Sequence, residues 1–127
     1  MDIQIGKSAK TATVADKTNT ALAVGSGSLE VFATPMMIAL MEKASCEVLS
    51  GSLNEGQTSV GINISVEHTS ASSIGTRVFA AATVTAVEGR KVSFDVTASD
   101  EKGVIGKGTH TRLVIDSKRF MDKLQNA

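Results

Sequence analysis

Apolar residues change their spacing once along this chain, and that change divides it. From Phe32 to Ser50 (FATPMMIALMEKASCEVLS) they recur every three or four positions, the period of a helix with one buried face. Thr34 suits the N-cap and Pro35 the first helical position, while Ser50-Gly51-Ser52 supplies the stop. At about 100° per residue, Met37, Ile38, Leu40, Met41, Ala44, Ser45, Val48 and Leu49 share one arc. Lys43, Glu47 and Ser50 take the opposite, solvated side. Glu42 sits at the border of the apolar arc, where a carboxylate must be paired, protonated or in use.

From Thr58 the period is two. Val60, Ile62, Ile64 and Val66 alternate with polar residues, and the next position on their row is His68, a titratable ring ending an aliphatic series. Gly61 within this run reads as a bulge or a close backbone approach. Three further strands follow: Arg77–Val87, Lys91–Ala98 after the turn Glu88-Gly89-Arg90, and Val104–Ile115 after the loop Ser99–Gly103. Ahead of the helix, residues 8–15 form a weak strand, Asp16–Asn19 a turn, and Gly25–Ser28 (GSGS) a flexible connector or lid. Ser117–Leu124 reads as a closing helix capped by Ser117. One apolar sheet face and one long helix to cover it predict a single α+β domain over residues 1–127. In it a four-stranded antiparallel meander, with the weak first strand, wraps around a central helix. Glu42 and His68 are then expected to meet where helix covers sheet, each answering part of the other's desolvation cost.

Composition narrows the function. The 127 residues carry 13 Lys+Arg against 13 Asp+Glu, with four Phe and no Tyr or Trp. Such a chain offers nucleic acid neither a basic surface nor a stacking platform. No stretch is long and apolar enough to span a bilayer, and the N-terminus lacks a targeting pattern, so the expectation is a cytoplasmic protein without membrane or nucleic-acid partners. The lone Cys46 excludes an internal disulfide and reads as a small packed side chain. Two histidines far apart, without an acidic cluster, are not metal-ligand spacing, and GSGS lacks the features of a phosphate loop. Arg112 and His110 lie on the last strand, where Arg112 alone reads as solvated and His110 as structural.

Four blocks in order, VFATPMMIALMEKASCEVL, SVGINISVEHTSAS, VEGRKVSFDVTASD and IGKGTHTRLVI, resemble the fluoroacetyl-CoA thioesterase-like branch of the hotdog-fold acyl-CoA thioesterases. The resemblance implies a hotdog fold and hydrolysis of an acyl-CoA thioester to free acid and coenzyme A. It assigns catalysis to Thr34, Glu42 and His68, and substrate binding to Gly61, Arg112 and Phe32. No metal and no cofactor is implied beyond coenzyme A as part of the substrate, and the family's homodimers place their sites at the subunit boundary. The lid phenylalanines of the fluoroacetyl-specific member have Gly25 and Ser28 at the matching positions here, which implies a different acyl group. A non-catalytic acyl-CoA sensor and a hotdog hydratase or dehydratase remain alternatives.

Overall fold

The period-two segments form a five-stranded antiparallel sheet, and the helical segment lies on its inner face. In the computed structural model, which describes residues 1–126, the strands are β1 (Ser8–Val14), β2 (Gln57–His68), β3 (Arg77–Glu88), β4 (Lys91–Asp100) and β5 (Gly103–Asp116). The helices are α1 (Ala21–Val24), α2 (Thr34–Leu49) and α3 (Ser117–Gln125). The inward rows are short and apolar: Val78, Ala80, Ala82 and Val84 on β3, then Val92, Phe94, Val96 and Ala98 on β4, all fully buried. Alanines on β3 let α2 approach closely, and the helix packs chiefly on β1 and β3. Thr11 Oγ1 of β1 donates to Leu40 O of α2 at 3.0 Å, pinning the helix along the sheet. The expected apolar arc is the buried one: Met37, Leu40, Met41, Ala44, Ser45, Val48 and Leu49 are in the core and Ile38 is half-buried.

Several expectations need correction. The last four strands are not one meander, because the sheet order is β1-β3-β4-β5-β2. Only β3, β4 and β5 follow as hairpins; β2 pairs with β5, and the connection over residues 69–76 crosses the sheet to β3. Three strand spacings are about 14 Å, an easy reach for this connection, which is too long for a tight hairpin. At α2 the N-cap is Ala33, without a side-chain cap, and Thr34 is the first helical residue. Its hydroxyl is engaged elsewhere. At α3 the cap is Asp116, accepting from Arg119 N at 2.9 Å, rather than Ser117. Before Gly25–Ser28 stands α1, a single turn capped by Thr20 and ended by Gly25 at φ +79°. Cys46 is exposed rather than packed, since it falls outside the buried arc.

The alternation expected through β2 breaks at Ile62, where the register with β5 shifts between Gly61 and Asn63. Ser59 and Gly61 face the helix before this bulge; Ile64, Val66 and His68 face it afterwards. Ile62 itself turns outward and is 47% exposed. An extra residue in one strand has this effect, changing the phase of every side chain beyond it. β2 is also an outer strand of the sheet, so one row of its backbone groups has no partner strand within the chain.

Candidate functional site

Two polar clusters interrupt the apolar layer between α2 and the sheet. The first lies at the start of α2. Pro35 and the extended Ala33 place Thr34 where the helix begins, and the phase change in β2 swings His68 under it. Thr34 Oγ1 and His68 Nδ1 share a hydrogen bond of 2.8 Å. His68 Nε2 is buried and has no hydrogen-bond partner among the described residues. An orphaned ring nitrogen is costly in a finished core and ordinary at a site that awaits a ligand or a neighbouring chain. A cleft of about 250 Å³ opens here, with Phe32, Thr34, His68 and Ser70 on its walls. Phe32 is almost wholly in the core, so it forms the floor of the cleft.

The second cluster is built on Arg112. This side chain is only 7% exposed and is not the solvated strand residue its sequence context suggests. Its Nε donates to Ser59 Oγ at 2.8 Å and its Nη2 to Ser59 O at 3.0 Å. Nη1 donates to Glu42 Oε2 at 3.2 Å and to His110 Nε2 at 3.3 Å. Glu42 therefore finds its counter-charge in Arg112, with its own side chain 40% exposed. Gly61 completes the cluster. A methyl group there would stand 2.8 Å from Glu42 Oε2, 3.2 Å from His110 Cε1 and 3.4 Å from Arg112 Nη1, so only glycine brings the β2 backbone so near the carboxylate.

The expected meeting of Glu42 and His68 does not occur within one chain. They face separate partners, because Thr34 and Glu42 are eight residues apart on α2, or about 12 Å along the helix axis. Thr34 joins His68; Glu42 joins Arg112 and Gly61. His110 belongs to the second cluster, and the sequence held a signal for it. Gly106, Gly108, His110, Arg112 and Val114 share one face of β5, and two polar side chains in succession on the face that packs a core must satisfy each other.

Burial is the leading cause that lowers the pKa of both histidines below the ordinary 6.5. For His68 the nearby Ser70 backbone carbonyl opposes it, and for His110 the Arg112 charge adds to it while the Asn63 carbonyl and Glu42 oppose it. Both rings are thus uncharged in the native state at neutral pH, and the unfolded chain takes up protons first on acidification. Stability should be full above pH 6.5 and fall as the pH drops from there towards the lowered native values. A second loss should set in as the pH falls through 3.8, the ordinary value from which Asp16 and Asp100 are depressed by hydrogen bonds from Thr18 and Ser72. Urea unfolding across this pH range checks both steps. A midpoint flat from neutrality down to the carboxylate range would contradict the histidine assignment.

The family described as fluoroacetyl-CoA-specific thioesterase matches residues 15–118. A fluoroacetyl-CoA thioesterase from Streptantibioticus cattleyicolor is 42% identical over 96 residues, covering 76% of this chain and 69% of that protein. A solved structure of a fluoroacetyl-CoA thioesterase superposes with a TM-score of 0.93 at 32% identity, over 99% of this chain and 98% of that one. A threonine-to-serine variant of that enzyme has been solved with acetyl-CoA. A hot-dog-like protein from Thermanaerovibrio acidaminovorans, 24% identical, superposes with a TM-score of 0.89 over 98% of this chain and 92% of its own. The fold is accordingly the α+β hotdog. No helix of the described residues is long and apolar enough to cross a membrane.

Proposed function

Since the chain belongs to the fluoroacetyl-CoA-specific thioesterase family and is an acyl-CoA hydrolase, we propose that Thr34, Glu42 and His68 carry its reaction at a site shared by two copies of the chain. The observation that carries this reading is the split between the clusters: Thr34 and His68 stand at the start of α2, Glu42 with Arg112 and Gly61 at its middle. One carbonyl carbon cannot be served by groups about 12 Å apart. The unpaired edge of β2 supplies the remedy. Antiparallel pairing of β2 with its own copy about a two-fold between Ile64 and Ser65 sets His68 of one strand against Gly61 of the other. Each of the two equivalent sites then holds Thr34 and His68 from one subunit and Glu42, Gly61 and Arg112 from its partner. The orphaned His68 Nε2 faces a site in place of a void.

In such a site the thioester carbonyl lies beside the Gly61 backbone, whose N–H is suited to the developing oxyanion. Glu42 delivers the attacking oxygen, either its own or that of a water it deprotonates. The carbon–sulfur bond breaks, and the proton taken from water passes through His68, oriented by Thr34, to the departing coenzyme A sulfur. Where Glu42 attacks with its own oxygen, water then hydrolyses the acyl–Glu42 anhydride, supplying that proton and releasing the free acid. Arg112 holds the carboxylate in place, and Phe32 supplies an apolar floor. Gly25 and Ser28 leave the lid without aromatic side chains, so the preferred acyl group is one other than fluoroacetyl. The single exposed thiol, Cys46, suits a reducing compartment, and the cytoplasm is the location this reading assigns.

Mixing inactive Glu42→Gln and His68→Ala subunits tests the shared site. Random reassortment should restore about a quarter of wild-type thiol release on a panel of short acyl-CoAs, because half the dimers are mixed and each keeps one intact site. Sites formed within single chains would give no recovery. Saturable acyl-CoA binding by the wild-type protein with no thiol release at all would favour the sensor instead.

A further inference from the structure

We propose that His110 is a positioning residue, an Nδ1-protonated imidazole that ties the β2 bulge to Arg112 and so fixes the Glu42 carboxylate relative to Gly61; this rests on the role given to Glu42 above. The hydrogen bonds settle the tautomer. His110 Nδ1 lies 2.7 Å from Asn63 O, and a backbone carbonyl only accepts, so Nδ1 carries the proton. Nε2 lies 3.3 Å from Arg112 Nη1, and a guanidinium only donates, so Nε2 offers its lone pair. Both ring nitrogens are used, in one orientation only. The ring is 2% exposed and stacks on Phe94 with centroids 6.1 Å apart, which holds its plane.

The residues at the two ends of this bridge give it a purpose. Asn63 is the residue at which the β2 ladder resumes after the register shift, immediately past the segment that brings Gly61 to the carboxylate. Arg112 Nη1 splits its donors between His110 and Glu42. Ser59 anchors the remaining guanidinium nitrogens on the near side of the bulge, and His110 anchors the fork from the far side. Without an acceptor at Nε2, one Nη1 proton is unclaimed and the fork is free to tilt away from Glu42. Its reach to the Gly61 backbone then changes, which is a loss of orientation and not of charge.

His110→Phe keeps the ring on Phe94 and removes both polar contacts. It should lower kcat by about tenfold or more with KM nearly unchanged, as a misplacement near 1 Å does. In a Glu42→Gln background the same change should lower kcat no further, because the carboxylate it positions is already gone. A structural defect would multiply the two losses, and that additive result would overturn the positioning role alone. Near-normal turnover of Glu42→Gln by itself would overturn the reaction assignment and the positioning role together. If His110→Phe fails to fold, long-range proton–nitrogen correlation spectra of the unaltered protein decide the matter: a protonated Nδ1 with a bare Nε2 is expected, and a protonated Nε2 would overturn the bridge.

Discussion

Glu42→Gln should lower coenzyme A release from short acyl-CoAs by about 10²–10⁴-fold, the range lost when a positioned proton-transfer group is removed. Glutamine keeps the size of the side chain and an oxygen that can accept from Arg112 Nη1, so the guanidinium stays hydrogen-bonded and the domain folded. What disappears is the negative charge and with it the ability to attack or to take a proton from water. Glu42→Asp separates charge from reach. It keeps the charge, withdraws it by one methylene, and should fall between the two. Far-ultraviolet circular dichroism and thermal unfolding establish folding, and thiol release measured over an acyl-CoA panel gives the rates. Turnover of Glu42→Gln within a few fold of wild type on every substrate would remove Glu42 from the mechanism.

The largest effect on stability is expected from Gly108→Ala. Gly108 pairs with Val66 in the longest ladder of the sheet. A Cβ there would overlap Ser65 O and approach Val66 Cα to 2.7 Å and Val66 Cγ1 to 2.8 Å. Two of these neighbours are backbone atoms of β2, which cannot yield as a flexible side-chain end does. The strand must move, and with it His68, two residues further along. Overpacking of this kind costs about 1–3 kcal/mol and at times more. Gly75→Ala is the matched control: Gly75 has φ +94° with nothing within 4 Å of an added Cβ, so only the strain of its left-handed backbone is at stake, about 1 kcal/mol. Urea unfolding of the two variants should rank Gly108→Ala as clearly the worse. Equal losses would mean that β2 yields to the added methyl without cost.

How much of this was readable beforehand differs from element to element. The buried arc of α2 followed from its spacing alone, since a helix that covers a sheet has one face to hide and its sequence must say which. The turn at Gly89 and the alternation of β3 and β4 were equally plain. Strand order was not, because period-two patterning tells which side of a strand is buried and says nothing of its neighbour. In the site, the sequence points to Thr34, Glu42, His68, Gly61 and Arg112, but not to which of them meet within one chain. Helical spacing tells which residues share a face, and the rise along the axis, about 12 Å over eight residues, separates Thr34 from Glu42. The support that His110 and Ser59 give to Arg112 depends on the bulge and does not show in the sequence. One residue out of phase is invisible to a pattern of alternation until the partner strand is known. Thr34 also misled as a cap, since the residue type suits both duties and only the structure shows its hydroxyl on His68.

Ile62 makes no polar contact of its own among the hydrogen bonds of the site, and replacing its side chain would alter little there. Its presence in the count is what matters. Removing the residue altogether would set Gly61 next to Asn63 opposite Arg112 and Thr111, a regular ladder that keeps Ile64, Val66 and His68 inward and loses only the local bend beside the carboxylate. Point mutation at Ile62 therefore leaves the frame of the site as it is, whereas loss of its codon would straighten the strand beside Glu42 while sparing the rows on either side.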